Sequence, residues 1–243
     1  MRIAVPAETD PSEARVAATP ETVKKYIGLG ADVAVQSGAG AKSGILDSEY
    51  TAAGATVIAG SPVADADVVL RVRRPSPNEL AGAKKNAAVI AIMDPYDHVA
   101  ALQSLSQTGA SLFAMELMPR ITRAQVMDVL SSQANLAGYR AVVDAAEEFG
   151  RAIPMMMTAA GTVPAAKMFI MGVGVAGLQA IATARRLGGI VTATDVRPAT
   201  KEQVVSLGAK FIAVEDDEFK QAETAGGYAK EMSAAYQEKQ KAL

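Results

Sequence analysis

One short pattern recurs five times and limits what this chain can fold into more than any other feature. It runs from a residue closing one segment, through a glycine, into an apolar stretch rich in β-branched or aromatic residues. The copies are Leu29-Gly30-Ala-Asp-Val-Ala-Val, Ala53-Gly54-Ala-Thr-Val-Ile-Ala, Thr108-Gly109-Ala-Ser-Leu-Phe-Ala, Leu187-Gly188-Gly-Ile-Val-Thr-Ala and Leu207-Gly208-Ala-Lys-Phe-Ile-Ala. Each reads as a helix closed by a left-handed glycine and a buried strand beginning just after it. Further strands are predicted over residues 2–6, 67–72, 87–93 and 167–171. Helix starts are marked by Thr19 before Pro20 and by Asp47-Ser48. Helices and strands that alternate over short connections predict parallel sheets covered on both faces, an α/β architecture.

A different element separates the third and fourth joints. Residues 123–149 contain no proline and one interior glycine, Gly138, with apolar residues spaced as on one amphipathic helix. A helix of that length would span about 40 Å. The reading is therefore two Rossmann-like doubly wound lobes, residues 1–135 and 136–243, joined by a long helix, with a ligand expected in the cleft between them.

The segment that carries chemistry begins at Lys167. A predicted strand runs into Gly172-Val-Gly174-Val175-Ala-Gly177, then a helix, the Gly188 joint, a second strand and Asp195. The three glycines differ in role. Gly172 permits the tight turn, Gly174 the close approach of backbone N–H groups to a pyrophosphate, and Gly177 the packing of helix on strand. The start of the helix presents unpaired N–H groups and its positive dipole end to the anion. Asp195, at the end of the next strand, is placed to accept hydrogen bonds from an adenosine ribose and to repel a 2′-phosphate, which favours NAD(H). Arg197 nearby is the residue that would pair with such a phosphate in NADP(H). The bland alternative is a glycine turn kept for packing alone.

Composition removes competing chemistries. The chain of 243 residues has no cysteine and one histidine, His98, so thiolate catalysis, disulfides, Cys-ligated metals and multi-histidine sites are excluded. With 24 Lys+Arg against 26 Asp+Glu, nothing overall draws it to nucleic acid or anionic lipid. The start does not read as a secretory signal, and the apolar run over residues 168–184 is shorter than about 20 residues and broken by glycines, so it reads as a buried strand and turn rather than a membrane span. A cytosolic protein is expected. His98 reads as a surface or helix-start residue, which leaves few candidates for general acid or base. Hydride transfer between two nicotinamides needs none, because no proton is exchanged at either carbon. Polar residues gather instead around Arg120, Gln125, Asp128 and Ser131. The last three recur at three-residue spacing and read equally as a face that holds an amide-bearing ring or as a solvated helix start.

In its longer motifs the chain resembles a known family. Met115-Glu-Leu-Met-Pro-Arg-Ile-Thr-Arg-Ala-Gln-Val-Met-Asp-Val-Leu-Ser, Thr158-Ala-Ala-Gly-Thr-Val-Pro-Ala-Ala-Lys, the Gly172 fingerprint, Thr200-Lys-Glu-Gln-Val and Ala225-Gly-Gly-Tyr-Ala-Lys look like the NAD(H)-binding component, domain I of the α subunit, of proton-translocating nicotinamide nucleotide transhydrogenase. Ile3-Ala-Val-Pro with Glu8 and Arg15-Val-Ala-Ala-Thr-Pro-Glu fits as well. The resemblance implies a chain that binds NADH and passes hydride to NADP⁺ on a partner's NADP(H)-binding domain, coupled to proton movement through a membrane proton-channel subunit. It implies a homodimer, cytoplasmic and held at the inner membrane through partners, inactive without them. It gives Arg120, Gln125, Asp128 and Ser131 the orienting of nicotinamide and ribose, Gly172, Gly174, Val175 and Gly177 the pyrophosphate, Asp195 the adenosine ribose, and Tyr228 the tip of a loop closing over the nucleotide. From residues alone, Gly226-Gly227 before that tyrosine reads equally as a plain linker.

Alanine dehydrogenase is a related family and the alternative reading. Its pattern expects a lysine where this chain has Leu70-Arg-Val-Arg73-Arg-Pro75 and a histidine near Ile90-Ala-Ile-Met93-Asp94, where none stands. The chain also departs from both families after the fingerprint. Three strands are predicted, over residues 167–171, 190–194 and 211–214, where a full dinucleotide fold needs about six. The second lobe is thus expected to be C-terminally incomplete, residues 228–243 to form a charged helix leading nowhere, and NADH binding to be weakened. A non-catalytic nucleotide-binding fragment is the third reading.

Overall fold

All five predicted joints form. Gly30, Gly54, Gly109, Gly188 and Gly208 take φ between +75° and +95°, and each following strand starts two residues on. The computed structural model describes residues 1–119, 121–223 and 229–243, which divide into two units, Met1–Asp128 and Val129–Leu243.

The first unit holds β1 (Arg2–Val5), α1 (Pro20–Gly28), β2 (Asp32–Gln36), α2 (Asp47–Ala52), β3 (Thr56–Ile58), β4 (Val68–Arg73), β5 (Ala88–Ile92), α3 (Val99–Ser106) and β6 (Ser111–Ala114). Thr19 caps α1 by accepting the Thr22 N–H, with Pro20 in the first turn. The strands form one parallel sheet in the order β3-β2-β1-β4-β5-β6. Alternation along each strand splits the core in two. Ile3, Val5, Val33 and Val35 pack with Tyr50 on one face, and Ala4, Val69, Val89 and Ala91 with Leu105 on the other. Tyr50 is fully buried and its hydroxyl donates to the Ala18 carbonyl at 2.8 Å.

The strand order reverses between β1 and β4, where open sheets of this kind leave a crevice beyond the strand ends. Here Glu8 lines it. Its carboxylate accepts the Val72 N–H at 2.8 Å and the Arg73 N–H at 3.2 Å, and pairs with Arg71 at 3.2 Å. Arg71 also reaches Glu79 at 2.8 Å. The side chains of Glu8 and Arg71 are each 3% exposed. Beside them Glu13 is gripped by the Arg15 fork and by Arg73 Nε at 2.8 Å.

The second unit holds α4 (Val129–Glu148), β7 (Met156–Thr158), β8 (Gly161–Val163), β9 (Lys167–Met171), α5 (Val175–Arg186), β10 (Ile190–Thr194), α6 (Thr200–Ser206), β11 (Lys210–Phe211), α7 (Asp217–Lys220) and α8 (Ala234–Ala242). A parallel sheet runs in the order β11-β10-β9, so three strands follow from the fingerprint region as predicted. β9 has one strand neighbour among the described residues. Its Met168 and Ile170 join the core with Val191, Ile181 and Val142, whereas Phe169 and Met171 are exposed, Met171 at 78%.

Four local expectations need correction. The helix predicted over residues 123–149 begins six residues late: residues Thr122–Met127 form a 3-10 turn, and Asp128 is extended, with ψ 96°, before α4 starts. Val126, whose apolar character suggests a continuous stripe, is 92% exposed, so that turn has no core to hold it in an α-helix. The terminal helix does not lead nowhere. Met232 and Tyr236 are buried with Phe219, and the Tyr236 hydroxyl donates to the Val214 carbonyl at 3.0 Å. One aromatic anchor outweighs the charges that dominate the stretch. The third strand of this sheet is two residues long, extended only by the Ile212 N–H donating to the Ala193 carbonyl. The antiparallel hairpin β7–β8, exposed along its whole length, has no counterpart among the predicted strands. No described helix is long and apolar enough to cross a membrane.

The first unit's buried charges make two predictions. Replacing Arg71 by Met leaves the Glu8 carboxylate buried without its cation and should cost about 3–5 kcal/mol in denaturant unfolding, part of it regained when Glu8→Leu is added. Hydrogen bonds from Arg15 hold the Glu13 carboxyl at about 2 against burial, and the Ser76 and Arg71 donors overcome a larger burial effect to hold Glu79 at about 2, both from 4.5. Because the folded values lie below the unfolded ones, their stabilisation is complete above pH 4.5 and fades as pH falls toward about 2. Melting temperatures followed through that window should fall less steeply in a Glu13→Gln variant.

Candidate functional site

The turn from β9 to α5 is shaped by positions that cannot carry a side chain. Gly172 has φ +89°. A Cβ on Gly177 would stand 1.9 Å from the Gly172 carbonyl oxygen, and one on Gly138 of α4 would stand 2.0 Å from the Ala176 carbonyl oxygen. The first turn of α5 is thus pressed against β9 on one side and α4 on the other. Asn135 of α4 adds a hydrogen bond to Gln179 at 3.1 Å. Gly138 is visible in the sequence as a lone helical glycine, but only the crossing shows its use.

Gly174, at the start of the helix, is different. An added Cβ there would meet nothing within 4 Å, so the space in front of it is open. Thr19, Asp216 and Ser233 cap their helices with side chains, whereas Gly174, like His98 before α3 and Ala199 before α6, supplies no side-chain cap. The first N–H to bond back into α5 is that of Leu178, to the Gly174 carbonyl at 2.9 Å, so those before it have no partner within the helix. Val175, the first residue of α5, is exposed beside this space. A cavity of about 640 Å³ adjoins the turn, lined by Gly172, Gly174, Ala176, Gly177, β9 and the Ala137–Ala141 side of α4. Open room at Gly174 and an uncapped helix start suit the two phosphates of a dinucleotide.

Asp195, just past β10, is 8% exposed and already fully engaged. One carboxylate oxygen accepts the Val173 N–H at 2.7 Å and Arg197 Nη2 at 2.9 Å; the other accepts the Arg197 N–H at 2.8 Å and Arg197 Nε at 2.9 Å. Burial alone would raise its pKa, but these donors outweigh it and hold the carboxyl below the ordinary range. The carboxylate therefore ties the glycine turn to the end of β10, a structural role the sequence does not reveal.

The polar run ahead of α4 is not one helical face. Gln125 lies in the 3-10 turn, Asp128 is the extended residue after it, and Ser131 lies in the first turn of α4. Arg120 and Tyr228 lie outside the described residues. His98 precedes α3 as its N-terminal residue and pairs with Asp94 at 2.8 Å. Among the described residues no cluster of three His, Cys, Asp or Glu residues is set to hold a metal.

Parallel sheets with a glycine turn feeding the start of a helix place the chain among Rossmann-like α/β proteins. Residues 4–137 match the alanine dehydrogenase/PNT N-terminal domain and residues 141–241 the alanine dehydrogenase/PNT C-terminal domain, so the chain belongs to the alanine dehydrogenase/PNT family. It is 56% identical to a polypeptide of NAD(P) transhydrogenase subunit alpha from Rhodospirillum rubrum, over 99% of this chain and 64% of that protein. The crystal structure of transhydrogenase from Sinorhizobium meliloti superposes with a TM-score of 0.86 at 60% identity, covering 100% of this chain and 65% of that one. Alanine dehydrogenase of Halomonas elongata is 31% identical over 80% of this chain and 53% of that protein. The chain thus spans just under two thirds of the length of these transhydrogenase relatives.

The two close approaches predict that Gly138→Ala and Gly177→Ala each cost about 3 kcal/mol or more, the range of overpacked and displaced cores. Chemical denaturation should show both, and an unchanged midpoint in either variant would contradict the packing described.

Proposed function

We propose that this chain is the NAD(H)-binding component of a proton-translocating transhydrogenase, donating hydride from NADH to NADP⁺ held by a partner domain. The observation that carries the reading is the uncapped start of α5 with open room at Gly174, in a chain similar over almost its whole length to transhydrogenase α subunits. In this reading the N–H groups of Gly174 and Val175 bind the pyrophosphate, with Gly172 and Gly177 setting the turn. Asp195 takes the adenosine ribose. Arg120, Gln125, Asp128 and Ser131 orient the nicotinamide and its ribose, and Tyr228 closes over the nucleotide. Bound NADH supplies the hydride itself. The protein's own work is then to position and to keep water out, and no side chain has to move a proton, which agrees with the scarcity of candidates for that role.

The partners are an NADP(H)-binding domain and a membrane proton channel, to which the chain attaches from the cytoplasmic side as a homodimer. The alternative, alanine dehydrogenase chemistry, is disfavoured by the first unit. At its strand reversal Arg71 is engaged by Glu8 and Glu79, and the lysine and histidine of that family's pattern are absent from their places, His98 lining the cavity nearby.

Two measurements test the reading. Reduction of an NADP⁺ analogue by NADH should appear only when the NADP(H)-binding partner is added, whereas NADH oxidation driven by pyruvate and ammonia would overturn the assignment in favour of alanine dehydrogenase. Gly174→Ala should leave unfolding within about 1 kcal/mol of the wild type, since the new methyl meets no protein atom, yet weaken NADH binding about tenfold by crowding the phosphates. Unchanged affinity would remove the pyrophosphate from this turn.

A further inference from the structure

The Asp195 carboxylate has about four lone-pair positions, and the structure fills all of them from within the chain. Two donors are main-chain N–H groups, those of Val173 and Arg197, and belong to the fold. The other two, Nε and Nη2 of Arg197, sit on a rotatable side chain that is 20% exposed. A ribose offers two hydroxyl donors. We propose that the Arg197 guanidinium is an internal stand-in for the ribose: it occupies the same two acceptor positions, must leave them when a nucleotide binds, and sets the discrimination between NADH and NADPH.

Three consequences follow from charge and geometry. Nucleotide binding exchanges two charge-assisted hydrogen bonds for two from neutral hydroxyls, so NADH binds against competition from Arg197. Paired with Arg197, Asp195 presents little net charge, so its repulsion of a 2′-phosphate is weaker than that of a bare carboxylate. Once displaced, the guanidinium remains within reach of the ribose 2′ position, where its planar fork suits a phosphate. Asp195 alone would select strongly for NADH; the pair selects less.

This inference rests on the nucleotide-binding reading, and the experiment separates the two. The full chain and its Arg197→Ala and Arg197→Lys variants are titrated calorimetrically with NADH and with NADPH, after melting curves establish that each is folded. Arg197→Ala should bind NADH more tightly and NADPH more weakly, widening the NADH preference about tenfold or more. Arg197→Lys, which keeps the charge but loses the fork, should fall between Arg197→Ala and the wild type. If Arg197 merely props Asp195, both nucleotides weaken by the same factor and the preference stays where it was, which overturns the proposal. A wild-type chain that binds neither nucleotide overturns the nucleotide reading itself and this inference with it, a result visible before any variant is compared.

Discussion

Two carbonyl oxygens govern the second unit. The oxygen of Gly172 sits where a side chain on Gly177 would be, and that of Ala176 where one on Gly138 would be. Because both places must stay empty, α5 can start in only one position between β9 and α4. From that position α5 starts beside open room at Gly174, and β10 runs alongside β9 with Asp195 just past its end. The Val173 N–H then closes the arrangement by donating to the Asp195 carboxylate. The open start of α5 is thus a consequence of close packing on its other sides.

Much of this is legible in sequence, for a physical reason. Glycines that must close helices are local requirements, and each of the five joints carries its own strand beside it. The doubly wound topology follows once helices and strands alternate. The fingerprint is legible on the same grounds, since Gly172, Gly174 and Gly177 answer three separate local demands. What the sequence hides depends on contacts far along the chain. Residues 123–128 share the apolar period of α4, yet Val126 finds nothing to pack against and the backbone turns 3-10 instead. The last helix looks solvated because polar and charged residues dominate it, as in a surface helix; the buried Tyr236 decides otherwise. Asp195 stands at the strand end where the sequence puts it, but its partners are hidden, because Val173 is 22 residues away along the chain.

The two units use one construction differently. Each has parallel strands ending near a place where the main chain leaves donors unsatisfied. In the second unit those donors stay open at α5. In the first, Glu8 supplies the anion from the chain itself, accepting the N–H groups of Val72 and Arg73 and balancing Arg71. Neutralised in this way, the strand ends of the first unit are a structural joint beside open cavities, and the buried charges on both sides of it depend on one another.

The strand β9 stands at one side of its sheet. Its far edge has no hydrogen-bonded neighbour among the described residues, and Phe169 and Met171 stand bare on one face. In the doubly wound order 3-2-1-4-5-6 this is the edge along which a fourth strand pairs, so β9 is built as an inner strand, and the two bare side chains mark the face that a covering layer would close.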